Sequence, residues 1–461
     1  MKKTIDFIVL ALIFVFILCA CSQSAEEIVP EYIVTSSGTD LDGFSATWGW
    51  TGKDGDTVFG FTPGTSHADM VIQRRKNIEN TYNCKINVDY KEDILSVLRT
   101  GIMSGSQPLD IVKAGSFAMV EDVRAGYLTG LSSFLDIENI EKWGTPNMLQ
   151  SLIWKNDIFG VTPFAWPDIP YTVTGHIIAV NESYVSKLSQ VDPREFVENL
   201  TWTWDKFEEC LSAYTHNDGG NTIYGMKSHH AYFAMNMFLS NGVALSAYED
   251  GKVVCGAYTE PGRVALERAK KIMQETHHDC FHPTETAGDH TEFVNGECVM
   301  YVAWSSELIN GTSSIMYQMD NVGILPFPQG PNATPGVYYS YHEDLPTSIG
   351  IPFNAKDPST SAIILSAMLE PFDEYRTKDD ILDYMNEQIF FDRRDAEVLA
   401  NVTRYTEYGF FREGARGVIE SATEVTTAIS ALLESNKDKY DKIAEDYMTP
   451  HYQGRIAVYG E

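Results

Sequence analysis

Apolar and polar residues alternate from Lys85 to Tyr90 (KINVDY), the period of a strand with one covered face. Upstream, Thr57 to Phe61 (TVFGF) is a short apolar run that predicts a buried strand, and Thr62-Pro63-Gly64-Thr65 is a turn. Behind it the apolar residues recur at helical spacing through Asn80, with Ser66 as the expected cap. Asp93 to Ser104 predicts a second helix, and Leu109 to Val112 (LDIV) a further strand. Strands alternating with helices across short joints predict a parallel sheet with crossover helices. Ligands of such sheets sit beyond the carboxyl ends of the strands. Attention therefore falls on Thr62 to His67 and on Lys113 to Phe117.

Further along, Asp157 to Pro163 (DIFGVTP) leads into Phe164-Ala165-Trp166-Pro167-Asp168-Ile169-Pro170. Prolines at 163, 167 and 170 exclude a helix interior or a central strand and predict an extended connection. His176 to Val180 (HIIAV) predicts a strand after it. Helices are expected over Trp204 to Tyr214, Arg263 to Thr276, Ser359 to Leu369, Lys378 to Ile389 and Val425 to Met448.

The first residues pattern differently. A basic start, Met1-Lys2-Lys3, precedes the apolar run Phe7 to Leu18, which is shorter than the ~20 residues a spanning helix needs and has the build of a secretory signal. Leu18-Cys19-Ala20-Cys21 resembles the lipobox of bacterial lipoproteins, although Cys19 stands where a smaller residue is commoner. That resemblance implies a lipid on Cys21; the apolar run alone does not distinguish it from a cleaved signal that releases a soluble protein. Residues 21–55, rich in Ser, Thr, Gly, Asp and Glu, are expected to form a tether whose Phe44, Trp48 and Trp50 dock onto the body.

Charge narrows the partners. Against 64 acidic residues stand 34 basic ones, a net charge of −30, and nucleic acid needs the basic footprint this chain lacks. Five cysteines lie beyond the signal region (Cys84, Cys210, Cys255, Cys280, Cys298), an odd and widely spaced set that is not a disulfide framework. About 440 residues beyond the signal suffice for two or three domain-sized cores. HExxH, GxSxG and GxxxxGK[ST] are absent, so the local signatures of zinc proteases, α/β hydrolases and P-loop enzymes are missing. Paired carboxylates of a glycosidase are uninformative among so many acids. The stretch THHDCFHPTETAGDH (276–290) holds imidazoles and a thiol suited to zinc, in a spacing that matches no standard finger; no metal is assigned to it.

Ordered landmarks then carry a resemblance. Gln107-Pro108-Leu109-Asp110-Ile111-Val112, Phe159-Gly160-Val161-Thr162-Pro163, Val180-Asn181 and Thr203-Trp204-Asp205-Lys206-Phe207 come first. Tyr224-Gly225, the segment Phe293 to Met300 with Trp304 behind it, Leu325-Pro326-Phe327-Pro328 and Ile349-Gly350-Ile351-Pro352 follow. The set resembles the family 1 extracellular solute-binding proteins, lipid-tethered receptors of ABC importers, many of them for sugars. Trp304 lies closer to Met300 than is usual, and Gly115-Ser116 replaces the charged residue frequent after the Pro-Asp strand.

The resemblance implies a two-lobed α/β fold with three inter-lobe crossings and a ligand cleft. Its lobes would be 56–164 with 347–398 and 165–346 with 399–461, behind a signal over residues 1–20. It implies a monomer without catalytic residues, cofactor or metal, on the extracytoplasmic face of a bacterial membrane, working with a permease. The solute would be a mono- or oligosaccharide; the alternatives are a receptor for a peptide, polyamine or other polar solute, or a glycan-acting extracellular enzyme. Trp166 and Trp304 are the expected stacking faces for sugar rings, and Asp168, Ser66 and Ser116 the expected partners of hydroxyl groups. Tyr338, Tyr339 and Tyr341 form an aromatic cluster from which Tyr339 is placed at the cleft.

Overall fold

The computed structural model describes residues 39–167, 169–284, 288–309, 311–343, 347–409, 417–420 and 428–460. Cys21, the signal, most of the expected tether and Asp168 lie outside them. Along the chain the strands of the two main sheets are β1 (Phe44–Thr51), β2 (Cys84–Lys91), β3 (Ile111–Ala114), β4 (His176–Asn181), β5 (Asn221–Ser228), β6 (Phe281–Pro283), β7 (Cys298–Trp304), β8 (Val322–Leu325) and β9 (Ser348–Gly350). The longer helices are α1 (Ser66–Thr81), α2 (Ile94–Ser104), α3 (Ser116–Ala125), α4 (Trp204–Tyr214), α5 (His230–Leu239), α6 (Glu260–Lys271), α7 (Pro358–Met368), α8 (Lys378–Gln388), α9 (Arg393–Arg404), α10 (Ile429–Ile443) and α11 (Thr449–Tyr459).

The first sheet runs β9-β3-β1-β2, with β1 parallel to β2 and β3 and with β9 antiparallel to β3. β1 falls in the stretch expected as tether, and Thr57 to Phe61, expected as the first strand, is instead a tight turn. There Val58 bridges Phe61 while Phe59 and Gly60 take positive φ angles of 49° and 96°. The physical reason is burial: Ala46, Trp48 and Trp50 are at most 2% exposed, so β1 is a central strand, although its Ser, Thr and Gly make it look polar. Asp110, 1% exposed, fixes one end of this sheet, accepting from the Thr47 amide at 2.8 Å and from Lys356 at 3.1 Å. Ser66 is the first residue of α1; the cap is Thr65, whose side chain accepts from the Ala68 amide.

The second sheet runs β6-β5-β7-β4-β8; β5, β6 and β7 are parallel, and β4 is antiparallel to both β7 and β8. Every residue of β4 is buried, which a strand covered on both faces requires. α4 begins where Thr203 accepts from the Lys206 amide and buries Trp204, Phe207 and Leu211.

Three segments pass between the sheets: Thr162 to Gly175, Glu343 to Thr347, and the stretch between α7 and α9. Two assignments to lobes change. α9 starts before the expected boundary at 398 and packs on β8 of the second sheet, because buried Asp395 accepts from the Ile324 amide at 3.0 Å. α11 packs on the Ile153–Ile158 hairpin beside the first sheet, where Gly454 lies so close that a Cβ would stand 2.6 Å from the Lys155 carbonyl. Among the described residues no helix is long and apolar enough to cross a membrane, and Cys84, Cys210, Cys255, Cys280 and Cys298 are free thiols.

Candidate ligand cleft

Both sheets point the carboxyl ends of their parallel strands at the crossings, and an aromatic cluster sits at each end. In the second lobe β7 ends at Trp304, which pairs in register with His176, the first residue of antiparallel β4. Around the half-buried Trp304 ring stand His176 (4.8 Å, tilted), Tyr232 (5.5 Å, edge-on) and His342 (5.3 Å, edge-on). The Trp304 amide donates to Glu307 Oε2 at 2.9 Å, and Ser305 donates to Thr172 O at 3.0 Å, so the strand end is tied to the first crossing. Gly175 allows this approach: its φ is 85° and a Cβ would stand 2.3 Å from the Tyr341 carbonyl. His176 Nδ1 lies 2.8 Å from that carbonyl oxygen, to which it donates, and the Tyr232 hydroxyl donates to Glu343 Oε1 at 3.3 Å. Of these rings Trp304 alone is partly open, the others being buried, and one open indole face beside imidazole and carboxylate groups is the chemistry that grips a ring with an apolar face and hydroxyl edges.

In the first lobe Tyr90, Trp50 and Lys113 form one row across β2, β1 and β3. Trp166 does not present a face to solvent as expected. It is 1% exposed, stacked on Trp50 at 6.0 Å with Phe59 at its edge, and its indole donates to Met368 O at 2.8 Å. The proline-flanked crossing folds back over the sheet and inserts this ring into the core, a placement that local sequence does not encode. Lys113 Nζ lies 4.9 Å from the centre of the Trp50 ring, and burial pulls its pKa down to about 8.

Of the other expected site residues, Ser116 opens α3 and is 3% exposed, and Ser66 is exposed at the start of α1. Tyr339 is half-buried with its ring 5.8 Å from Tyr405, which lines a 270 Å³ hollow beside Phe164 and Ala165. Tyr338 and Tyr341 are buried in packing. The structure therefore brings Trp304 together with His176, Tyr232 and His342, which sequence reasoning missed, and the rings around it do not include Tyr339 among the described residues. These ring partners come from separate segments with no fixed spacing; the single signal was the Trp behind the Phe293 to Met300 segment. The histidines of 276–290 disperse, His277 to Glu208 at 2.8 Å and His290 to Glu307 at 3.1 Å, and no group of three metal-ligating side chains occurs among the described residues.

A pair of α/β lobes joined by short crossings, with aromatic clusters at the facing strand ends, defines a two-lobed binding protein. The chain belongs to the bacterial extracellular solute-binding proteins, whose family model matches residues 69–359, and this places its work outside the cytoplasm. Solved structures agree on the fold. A sugar transporter from Rhizobium etli in an open conformation superposes with a TM-score of 0.58 at 16% identity, covering 90% of this chain and 100% of its own. M. tuberculosis UspC gives 0.60 at 13% identity, covering 87% and 100%. Maltose-bound T. maritima MalE3 gives 0.52 at 15% identity, covering 87% and 100%. No curated protein matches the sequence.

Proposed function

We propose that this protein is the lipid-anchored receptor of an ABC importer, capturing a carbohydrate between its lobes on the outer face of the membrane, with no catalytic step of its own. The observation that carries the reading is the half-buried Trp304 ring, framed by His176, Tyr232 and His342 at the strand end beside the first crossing. The lipobox-like Leu18-Cys19-Ala20-Cys21 supports anchoring through Cys21. Several structural neighbours are described with sugars bound, maltose in one and maltotetraose in another, which supports a saccharide as solute.

Covering ~100 Å² of a sugar's apolar face on the Trp304 ring is worth about 2.5 kcal/mol. Trp304→Ala is therefore expected to weaken binding roughly 70-fold in calorimetric titrations with an oligosaccharide panel. Unchanged affinity in that variant, or no heat from any saccharide with the parent protein, contradicts the reading.

A further inference from the structure

Among the described residues Lys113 is a cation of the first lobe without a counter-charge. It is the third residue of β3, near the carboxyl end of a parallel strand, in register with Trp50 on one side and Ile349 on the other. Its ammonium lies over the Trp50 ring, and among the described residues no carboxylate comes within ion-pair distance of it. Burial pulls its pKa down to about 8. Other buried lysines are treated differently. Lys142 meets Glu370 and Ser366, and Lys227 meets Glu292 at 2.9 Å and Glu297 at 3.0 Å. In a chain with 64 acidic residues, a half-buried lysine without one is a vacancy in an otherwise consistent pattern.

Closure over a neutral solute would strip the remaining water from this ammonium and return nothing, and a cationic solute would add repulsion. An anionic oxygen group would turn the same desolvation into a charge-assisted hydrogen bond. We infer that Lys113 reads an acidic group on the captured solute, which is therefore an acidic oligosaccharide bearing carboxylate or sulfate. This rests on the carbohydrate reading above and deepens it by naming the substrate class.

The test is calorimetric titration of the full chain in detergent with a neutral tetraglucoside, a tetragalacturonate and a sulfated tetrasaccharide. The acidic probes are expected to bind at least about tenfold more tightly than the neutral one. Lys113→Met is expected to cost them roughly 100-fold while leaving the neutral probe within about threefold. The two acidic arms separate carboxylate from sulfate recognition. Parent affinity for the favoured acidic probe should fall from about pH 8 upward, as the free ammonium loses its proton. The Lys113→Met profile should be flat there, and Lys113→Arg should restore acidic binding without that decline. A flat parent profile overturns the assignment even if Lys113→Met fails to fold, and so does acidic binding that survives in that variant. Neutral binding without acidic binding sinks this inference and spares the carbohydrate reading; failure of every probe sinks both.

Discussion

Arg194 shows how this acidic chain handles a buried charge. Its side chain is 6% exposed and meets Glu182 at 2.5 Å, Asp192 at 3.0 Å and Asp395 at 3.1 Å, the last fully buried. Burial drives the Asp395 carboxyl up, opposing the pull of Arg194, so removing the guanidinium leaves a buried acid with one backbone donor. Arg194→Met is expected to lower stability by about 3–5 kcal/mol in urea denaturation, and a loss below about 1 kcal/mol would contradict this role. At this scale the sequence singles out Trp304, which trails a recognisable segment and stands half-buried at the end of β7, but misleads about the exposure of Trp166. A Pro-flanked loop is ordinarily surface, and only the fold shows the ring turned inward onto Trp50. Lys113 and the histidines around Trp304 owe their meaning to register between distant strands, which no local pattern reports.

Among elements, those with one covered face and a cap were the legible ones. α4 occupies the expected residues 204–214 because Thr203 caps it and its buried residues recur at helical spacing. β1 and α5 were missed for different reasons: in β1 Ser45, Thr47, Gly49 and Thr51 alternate with buried Ala46, Trp48 and Trp50 and give the stretch a polar composition, whereas α5 is buried at every position from Ala231 to Leu239 and has no polar face to set a period. A joint just after α9 is testable. Strand Thr406–Tyr408 pairs with Ser340–His342, and Glu407 on it accepts from the Leu245 amide at 3.0 Å. Burial lifts the Glu407 carboxyl to about 7, against a weaker opposing pull from Arg455. Because the folded state then holds a proton that the unfolded chain releases, this group's contribution to stability is fully present below its ordinary pKa and fades as pH rises to about 7. Glu407→Gln keeps an acceptor for Leu245 and removes the titration. Thermal melts should show the parent losing more stability than this variant between about pH 4.5 and 7; parallel slopes would contradict the assignment.

For the molecule as a whole, the crossings matter more than either lobe. Residues between Trp166 and Gly175, and between His342 and Ser348, connect the cluster around Trp50 to the cluster around Trp304, so rotation about these segments opens or closes the space between them. α11 packs on the Ile153–Ile158 hairpin, with His451 4.7 Å from Trp154. A solute that takes the population from almost all open to almost all closed must favour the closed form by about 5.5 kcal/mol, which demands contacts on both lobes at once. The most direct test is small-angle scattering of the protein titrated with the saccharide that binds it in calorimetry. The account predicts a smaller radius of gyration and a shortened distance distribution at saturation in the parent, with both restored toward the free values in Trp304→Ala at the same saccharide concentration. Identical profiles with and without a saccharide that demonstrably binds would contradict it.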